Sequence, residues 1–218
     1  MTIYYDVATI LKSVGGIAES DAILPTGSDM TVRIQYINDA LGEWADTYTW
    51  KDLRKTIYIY SSNESTTSIG LPADFRQPAS PLVQFNSNGN NTEYTLINSN
   101  DRFGKVGTDK YCYITGTFLN KSLQIPNALP SGASLEFDYT SFPSSVATTT
   151  DYVPISSSQY LVKKVASMVL QARSDSRYPL LQEEAQRLLS NNIEEENIPF
   201  GKSNQIPMDK SFIMGVDG

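Results

Sequence analysis

The stretch Leu123-Gln-Ile125-Pro126, then Pro130-Ser-Gly132, Leu135-Glu-Phe137-Asp-Tyr139, Phe142-Pro143 and on to Ser156 and Gln159 decides the fold. Leu135, Phe137 and Tyr139 fall on one side of an extended strand, and Glu136 and Asp138 on the other. That alternation belongs to a half-buried antiparallel strand. Helical spacing follows at once: Ser156 and Gln159 form a capping box, and an apolar stripe begins at Leu161. The β layer is therefore set inside a helical framework and does not follow it.

Upstream of this stretch and within it, residues 56–60, 81–85, 93–97, 111–118, 121–125 and 134–140 read as short strands. Turns rich in Asn, Gly and Ser divide them, as at Asn86 to Asn91. Between the first two, Ile69-Gly-Leu71-Pro72-Ala-Asp74-Phe75 is kept out of a helix by its proline. Short strands at regular turn spacing predict a small antiparallel sandwich or barrel.

Before the strands, Ile3, Val7, Ile10 and Val14 predict a short helix stopped by Gly15-Gly16, with a loop from Ile17 to Gly27. Met30, Ile34, Ile37, Leu41, Trp44 and Tyr48 predict a long amphipathic helix capped by Ser28 or Asp29. Thr31, Arg33, Asn38, Asp39 and Glu43 take its polar face. After the strands, the stripe Leu161, Val165, Met168 and Ala172 is widened by Val162, Ala166 and Val169, which requires more than one packing neighbour. Tyr178-Pro179 starts a last helix with apolar side Leu181, Ala185, Leu188, Leu189 and Ile193. Glu194-Glu195-Glu196 at its C-terminal end opposes the helix dipole and reads as a fraying, solvated end.

The fold class expected is α+β. N- and C-terminal helices (residues 1–55 and 152–197) close on each other around an inserted β domain (56–151). Residues 198–218, with Pro199, Pro207 and Gly201, form an extended C-terminal arm carrying Ile198, Phe200, Phe212, Ile213 and Met214.

Composition narrows the chemistry. The chain has 218 residues, 40% hydrophobic and 19% charged, enough to bury a core. A net charge of −7 argues against gripping a nucleic-acid backbone, although an acidic wall would let DNA pass without sticking. There is no histidine, which removes the commonest general base and metal ligand. The single cysteine, Cys112, lies between Tyr111 and Tyr113 and reads as a packed thiol. The opening residues lack the basic and apolar regions of a secretory leader, and no run reaches membrane-spanning length, so folding in a reducing cytoplasm is expected.

No phosphate loop is present: Gly201-Lys202-Ser203 matches only the end of one. There is no Gly-x-Ser-x-Gly elbow. Asp21, Asp29, Asp74, Asp101, Asp109 and Asp151 stand apart and follow no calcium-loop register. The expectation is a protein without catalysis, metal or cofactor. Trp44 falls on the buried stripe, and Trp50 beside Tyr48 is placed to staple the helix to the β insertion. Tyr58, Tyr60, Tyr94, Tyr111 and Tyr113 read as sheet packing and subunit interface or, alternatively, as a sugar-stacking platform. Arg33, Lys51, Arg54 and Lys55, and again Lys163, Lys164, Arg173 and Arg177, read as solvated faces or as partners for acidic faces of neighbouring copies.

The order of these elements resembles the head-to-tail adaptor (connector) proteins of tailed phages, of the podovirus tail tubular protein A type. The likeness rests on four features: the helix Val32 to Trp50 followed by strands; Leu71-Pro72-Ala-Asp74-Phe75; the Leu123-x-Ile125-Pro126, Gly132-x-x-Leu135-x-Phe137-x-Tyr139 and Pro143 block; and Asp151-Tyr-Val-Pro-Ile155 leading into the Leu161 to Ala172 helix. It covers about Thr2 to Asn197, in order and spacing more than in any single motif. What it implies is a virion protein of the neck or tail, assembled in the host cytoplasm. Such proteins form a dodecameric ring beneath the portal, continue the DNA channel without reading sequence, and attach the tail nozzle or next ring. The same resemblance implies that the arm reaches along the portal. The alternative carried forward is a tail-associated glycan-binding β module.

Overall fold

The computed structural model describes residues 5–60, 67–85, 91–105, 109–117, 120–127, 129, 131–155 and 157–197. Ile3, Phe118, Ser156 and the whole arm lie outside them. Among the described residues the fold is mixed α+β: four helices and one curled mixed sheet, with a separate two-stranded ladder.

A two-residue strand β1 (Tyr5–Asp6) leads into helix α1 (Val7–Ala18). Asp6 caps α1: one carboxylate oxygen accepts from the Thr9 amide at 2.7 Å and the other from the Thr9 hydroxyl at 2.9 Å. The Val7 and Ala8 amides, orphaned by the start of the helix, donate to the carbonyls of Asp151 and Thr149.

The expected stop at Gly15-Gly16 is not where α1 ends; the helix runs on to Ala18. Gly15 serves a different purpose. The chain folds back so closely that a Cβ at this position would sit 2.5 Å from the Asp21 carbonyl oxygen. Gly15→Ala is expected to cost about 1–3 kcal/mol, the usual penalty of overpacking, read as a lower urea midpoint at unchanged slope.

Helix α2 (Gly27–Thr47) buries Ile37, Leu41 and Trp44 of the expected stripe. Its N-cap is Thr26, with no side-chain cap bond, in place of Ser28 or Asp29. Arg33, expected on the polar face, is only 1% exposed.

A short 3-10 turn (Lys51–Leu53) opens into β2 (Arg54–Tyr60). The sheet continues with β3 (Ser68–Gly70), β4 (Phe75–Pro78), β5 (Leu82–Phe85), β6 (Asn91–Ile97), β7 (Tyr111–Gly116), β8 (Lys121–Gln124) and β9 (Ser134–Ser141). Strand order is β2-β9-β5-β6-β7-β8-β3, with β4 also on β9. Strand β9 is thus the spine. It carries β2 along one edge, and β5 and β4 end to end along the other.

Two features differ from the antiparallel sandwich or barrel that was expected. The layer is one sheet curled around its own core, and β6 and β7 pair in parallel. The connection from Ile97 to Tyr111 makes the parallel pair possible: it has about the dozen residues that a crossover needs and holds a 3-10 turn (Asp101–Gly104).

Strand β10 (Tyr152–Val153) pairs with β1 and introduces α3 (Ser158–Ala172) and α4 (Tyr178–Glu196). The helix α3 starts after Ser157, which makes no side-chain cap bond; the capping box expected at Ser156 falls outside the described residues. The broad stripe of α3 does have several neighbours: it packs on α1, α2 and α4. Ala172, placed on that stripe from spacing, is exposed.

Buried apolar side chains fall into two clusters. One gathers α1, α2, α3 and α4 around Trp44, Trp50, Tyr160 and Leu161. The other fills the curl of the sheet with Phe75, Leu123, Ile125, Leu135, Phe137 and Tyr139. In the helical cluster Trp50 stacks on Trp44 at 4.7 Å and donates its indole N–H to the Trp44 carbonyl at 2.6 Å, so it folds back on α2. Polar contacts join the two layers. Arg76 of β4 donates to the Ala45 carbonyl and pairs with Asp46 at 2.8 Å. The Ser141 hydroxyl of β9 donates to the Leu53 carbonyl, and Asn38 exchanges two hydrogen bonds with the Val146 backbone.

Candidate interaction surface

The arm residues Ile198, Phe200, Phe212, Ile213 and Met214 lie outside the described residues, so the candidate surface is built from the sheet and helices. The lone thiol of Cys112 is fully buried on β7, and burial pushes it up to about 12, which leaves it a packing group. Among the described residues no cluster of His, Cys, Asp and Glu is arranged to hold a metal ion.

Of the two cationic groups read from sequence, Lys51, Arg54, Lys55, Arg173 and Arg177 are exposed, as solvated faces require, while Arg33 is buried and Lys163 and Lys164 are partly so; most of them also pair within the chain. Lys163 pairs with Glu184 and Lys164 with Glu43, both at 2.7 Å. Arg173 shares Glu19 with Arg33, Arg177 holds Asp175, and Lys55 holds Asp74. Lys51 pairs with Glu196 at 3.0 Å, which corrects the fraying end expected for that glutamate.

Several carboxylates that looked isolated are likewise structural. Burial opposes ionisation of Asp74, but the Lys55 ammonium and the Tyr139 hydroxyl outweigh it and hold the carboxyl below its usual range. Asp151 is held low by the backbone amides of Ala147 and Thr148.

The five tyrosines do not form one platform. Tyr94 is buried inside the curl, its hydroxyl donating to Gln84 at 2.7 Å. Tyr111 and Tyr113 stack on each other at 6.5 Å on β7. Tyr58 and Tyr60, 73% and 72% exposed, project from the outer face of edge strand β2.

Strand alternation places two rows on that outer face. In the first, Tyr58 lies beside Glu136, Glu136 beside Val83, and Val83 beside Glu93. In the second, Tyr60, Ser134, Phe85 and Asn91 are neighbours in the same way. A shallow groove of 210 Å³ runs along β5, floored by Pro81, Val83 and Phe85 and flanked by Glu93, Glu136 and Asp138.

Farther across the sheet, the 3-10 turn after β6 lifts Phe103 into solvent, 81% exposed. The Arg102 guanidinium lies 4.6 Å from the Phe103 ring and 5.5 Å from the Tyr113 ring. Sequence reading missed both features. The groove depends on long-range strand order. The protrusion had a local signal, a basic-aromatic pair between two strands.

Chemically, this face offers aromatic stacking, an apolar furrow and separated charges of both signs. These are the means of binding another surface. No helix among the described residues is long and apolar enough to cross a membrane. No protein-family model matches the chain, and no curated protein matches its sequence.

Proposed function

We propose that the chain is a structural virion protein without catalysis, one subunit of a head-to-tail adaptor ring. In this reading the ring binds the portal, extends the DNA channel and attaches the tail. Residues 1–55 and 152–197 make the helical part, 56–151 the inserted β part and 198–218 the portal-binding arm.

The observation that carries the reading is the layout of the chain. The first and last helices share one core around α3, while the sheet between them closes on a core of its own. This is the element order on which the resemblance rests. Exposed Tyr58, Tyr60 and Phe103 on the sheet, and Ile23 and Leu180 on the helical side, leave apolar area that assembly would cover.

Mixing the purified chain with portal should give a defined ring complex in electron micrographs. A strictly monomeric chain that ignores portal overturns the reading. Deleting residues from Pro199 onward should weaken portal docking while circular dichroism stays unchanged; unchanged docking removes the arm, with Ile198, Phe200, Phe212, Ile213 and Met214, from the interface.

One observation favours a second reading, a tail-associated glycan-binding module: Tyr58 and Tyr60 stand on one face of an edge strand with their rings in solvent. Binding on a glycan array, lost in Tyr58→Ala and Tyr60→Ala, would select it.

A further inference from the structure

The sheet carries two surface features of opposite character. Glu93 and Glu136 flank Val83 from the strands on either side, about 10 Å apart across β5. Neither has a hydrogen-bond or ion-pair partner among the described residues. Two unneutralised carboxylates over an apolar floor form a place for a cation with an apolar neighbour.

Arg102 and Phe103 supply that pair. The guanidinium carbon lies 4.6 Å from the Phe103 ring and 5.5 Å from the Tyr113 ring, and Arg102 makes no ion pair among the described residues, so its N–H groups can serve carboxylates. The contact also holds Phe103 in place before binding, which lowers the entropy lost on docking. Lys105 and Lys110, exposed on the same connection, add positive potential around the protrusion. Arg102 makes no ion pair with Glu93 or Glu136 of its own chain among the described residues; it is held over β7, two strands from β5.

Resting on the ring reading above, we propose that Arg102 and Phe103 of one copy dock in the β5 groove of a second copy, head to tail. Phe103 covers Val83 and Phe85, and the Arg102 guanidinium bridges Glu93 and Glu136. The groove volume of 210 Å³ suits one aromatic side chain. With the protrusion of each copy in the groove of the next, the contact is heterologous, leaves a free half at each end and propagates until a ring closes; a reciprocal pair, each protrusion in the other copy's groove, would stop at a dimer.

Sedimentation and light scattering of four samples test this. Wild type should form assemblies larger than a dimer. A variant with Arg102→Ala and Phe103→Ala should stay monomeric, its association weakened about 30-fold or more, and so should one with Glu93→Lys and Glu136→Lys. Mixing the two variants should give dimers and nothing larger, since only one intact protrusion meets one intact groove. A chain carrying Arg102→Glu with Glu93→Lys and Glu136→Lys should regain assembly, which shows that the variants fold and that charge carries the contact.

Wild type that stops at a dimer, variants that assemble like wild type, or a mixture that stays monomeric overturns the contact. If the variants still form rings on portal, the contact fails and the adaptor reading stands; if wild type never associates, with or without portal, both fail.

Discussion

Trp50→Ala is expected to lower stability by about 3–5 kcal/mol, the range for deleting a fully buried large aromatic side chain. Trp50 is 0% exposed, stacks on Trp44 with an interplanar angle of 16°, and meets Tyr48 edge-on at 5.3 Å. Its removal opens a cavity in the helical core and takes away the donor to the Trp44 carbonyl. A loss of this size is a large fraction of the roughly 5–15 kcal/mol that a domain has in total. The check is the urea midpoint. Trp50→Phe keeps a ring against Trp44 and loses the indole donor with part of the buried volume; it should cost less than the alanine change. An alanine variant within about 0.5 kcal/mol of wild type, the scatter of a surface substitution, would mean that the Trp44–Trp50 stack does not hold the helical core together.

Arg33→Ala is expected to cost about 3 kcal/mol at neutral pH, near the lower end for breaking a buried ion pair. The Arg33 guanidinium bonds Glu19 and Asp29, both at 2.7 Å, and ties the loop after α1 to the first turns of α2. Glu19 keeps Arg173 in the variant, and Asp29 is half exposed, which holds the cost toward that lower end. The loss should depend on pH with a definite sign. The hydrogen bond from Arg33 is the largest influence on Glu19 and, against the opposing effect of burial, holds its carboxyl below the ordinary value of 4.5. A carboxylate depressed in the folded state contributes stability that is fully present above its unfolded value and disappears as pH falls through the folded one. Wild type and Arg33→Ala should therefore differ most above about pH 5 and converge under more acid conditions. A constant difference from neutral to acid pH would show that Arg33 acts through the packing of its stem alone.

Much of the architecture was legible because periodicity reports which face is buried. Leu135, Phe137 and Tyr139 point into the curl of the sheet as their alternation requires, and Ile37, Leu41 and Trp44 into the helical core. The misses share a cause: each depends on a contact remote in sequence. Arg33 continues the buried stripe four residues before Ile37, but its charge assigned it to water; Glu19 and Asp29 make burial tolerable. Gly15 looked like a helix stop, and only the returning loop at Asp21 shows why a side chain is excluded. The parallel pairing of β6 and β7 leaves no mark in either strand, because alternation is the same in both orientations. Of the candidate surface, the exposed aromatics on β2 were visible in the sequence, whereas the juxtaposition of Val83, Glu93 and Glu136 required knowing that β9, β5 and β6 are neighbours.

The last turn of α4 is moored beside the root of the sheet: the Tyr48 hydroxyl donates to Asn197 at 2.6 Å, and Lys51 grips Glu196 by both its carbonyl and its carboxylate. A load applied to the polypeptide downstream of Asn197 would thus be shared between α4 and the segment Tyr48 to Lys51 that leads into the sheet.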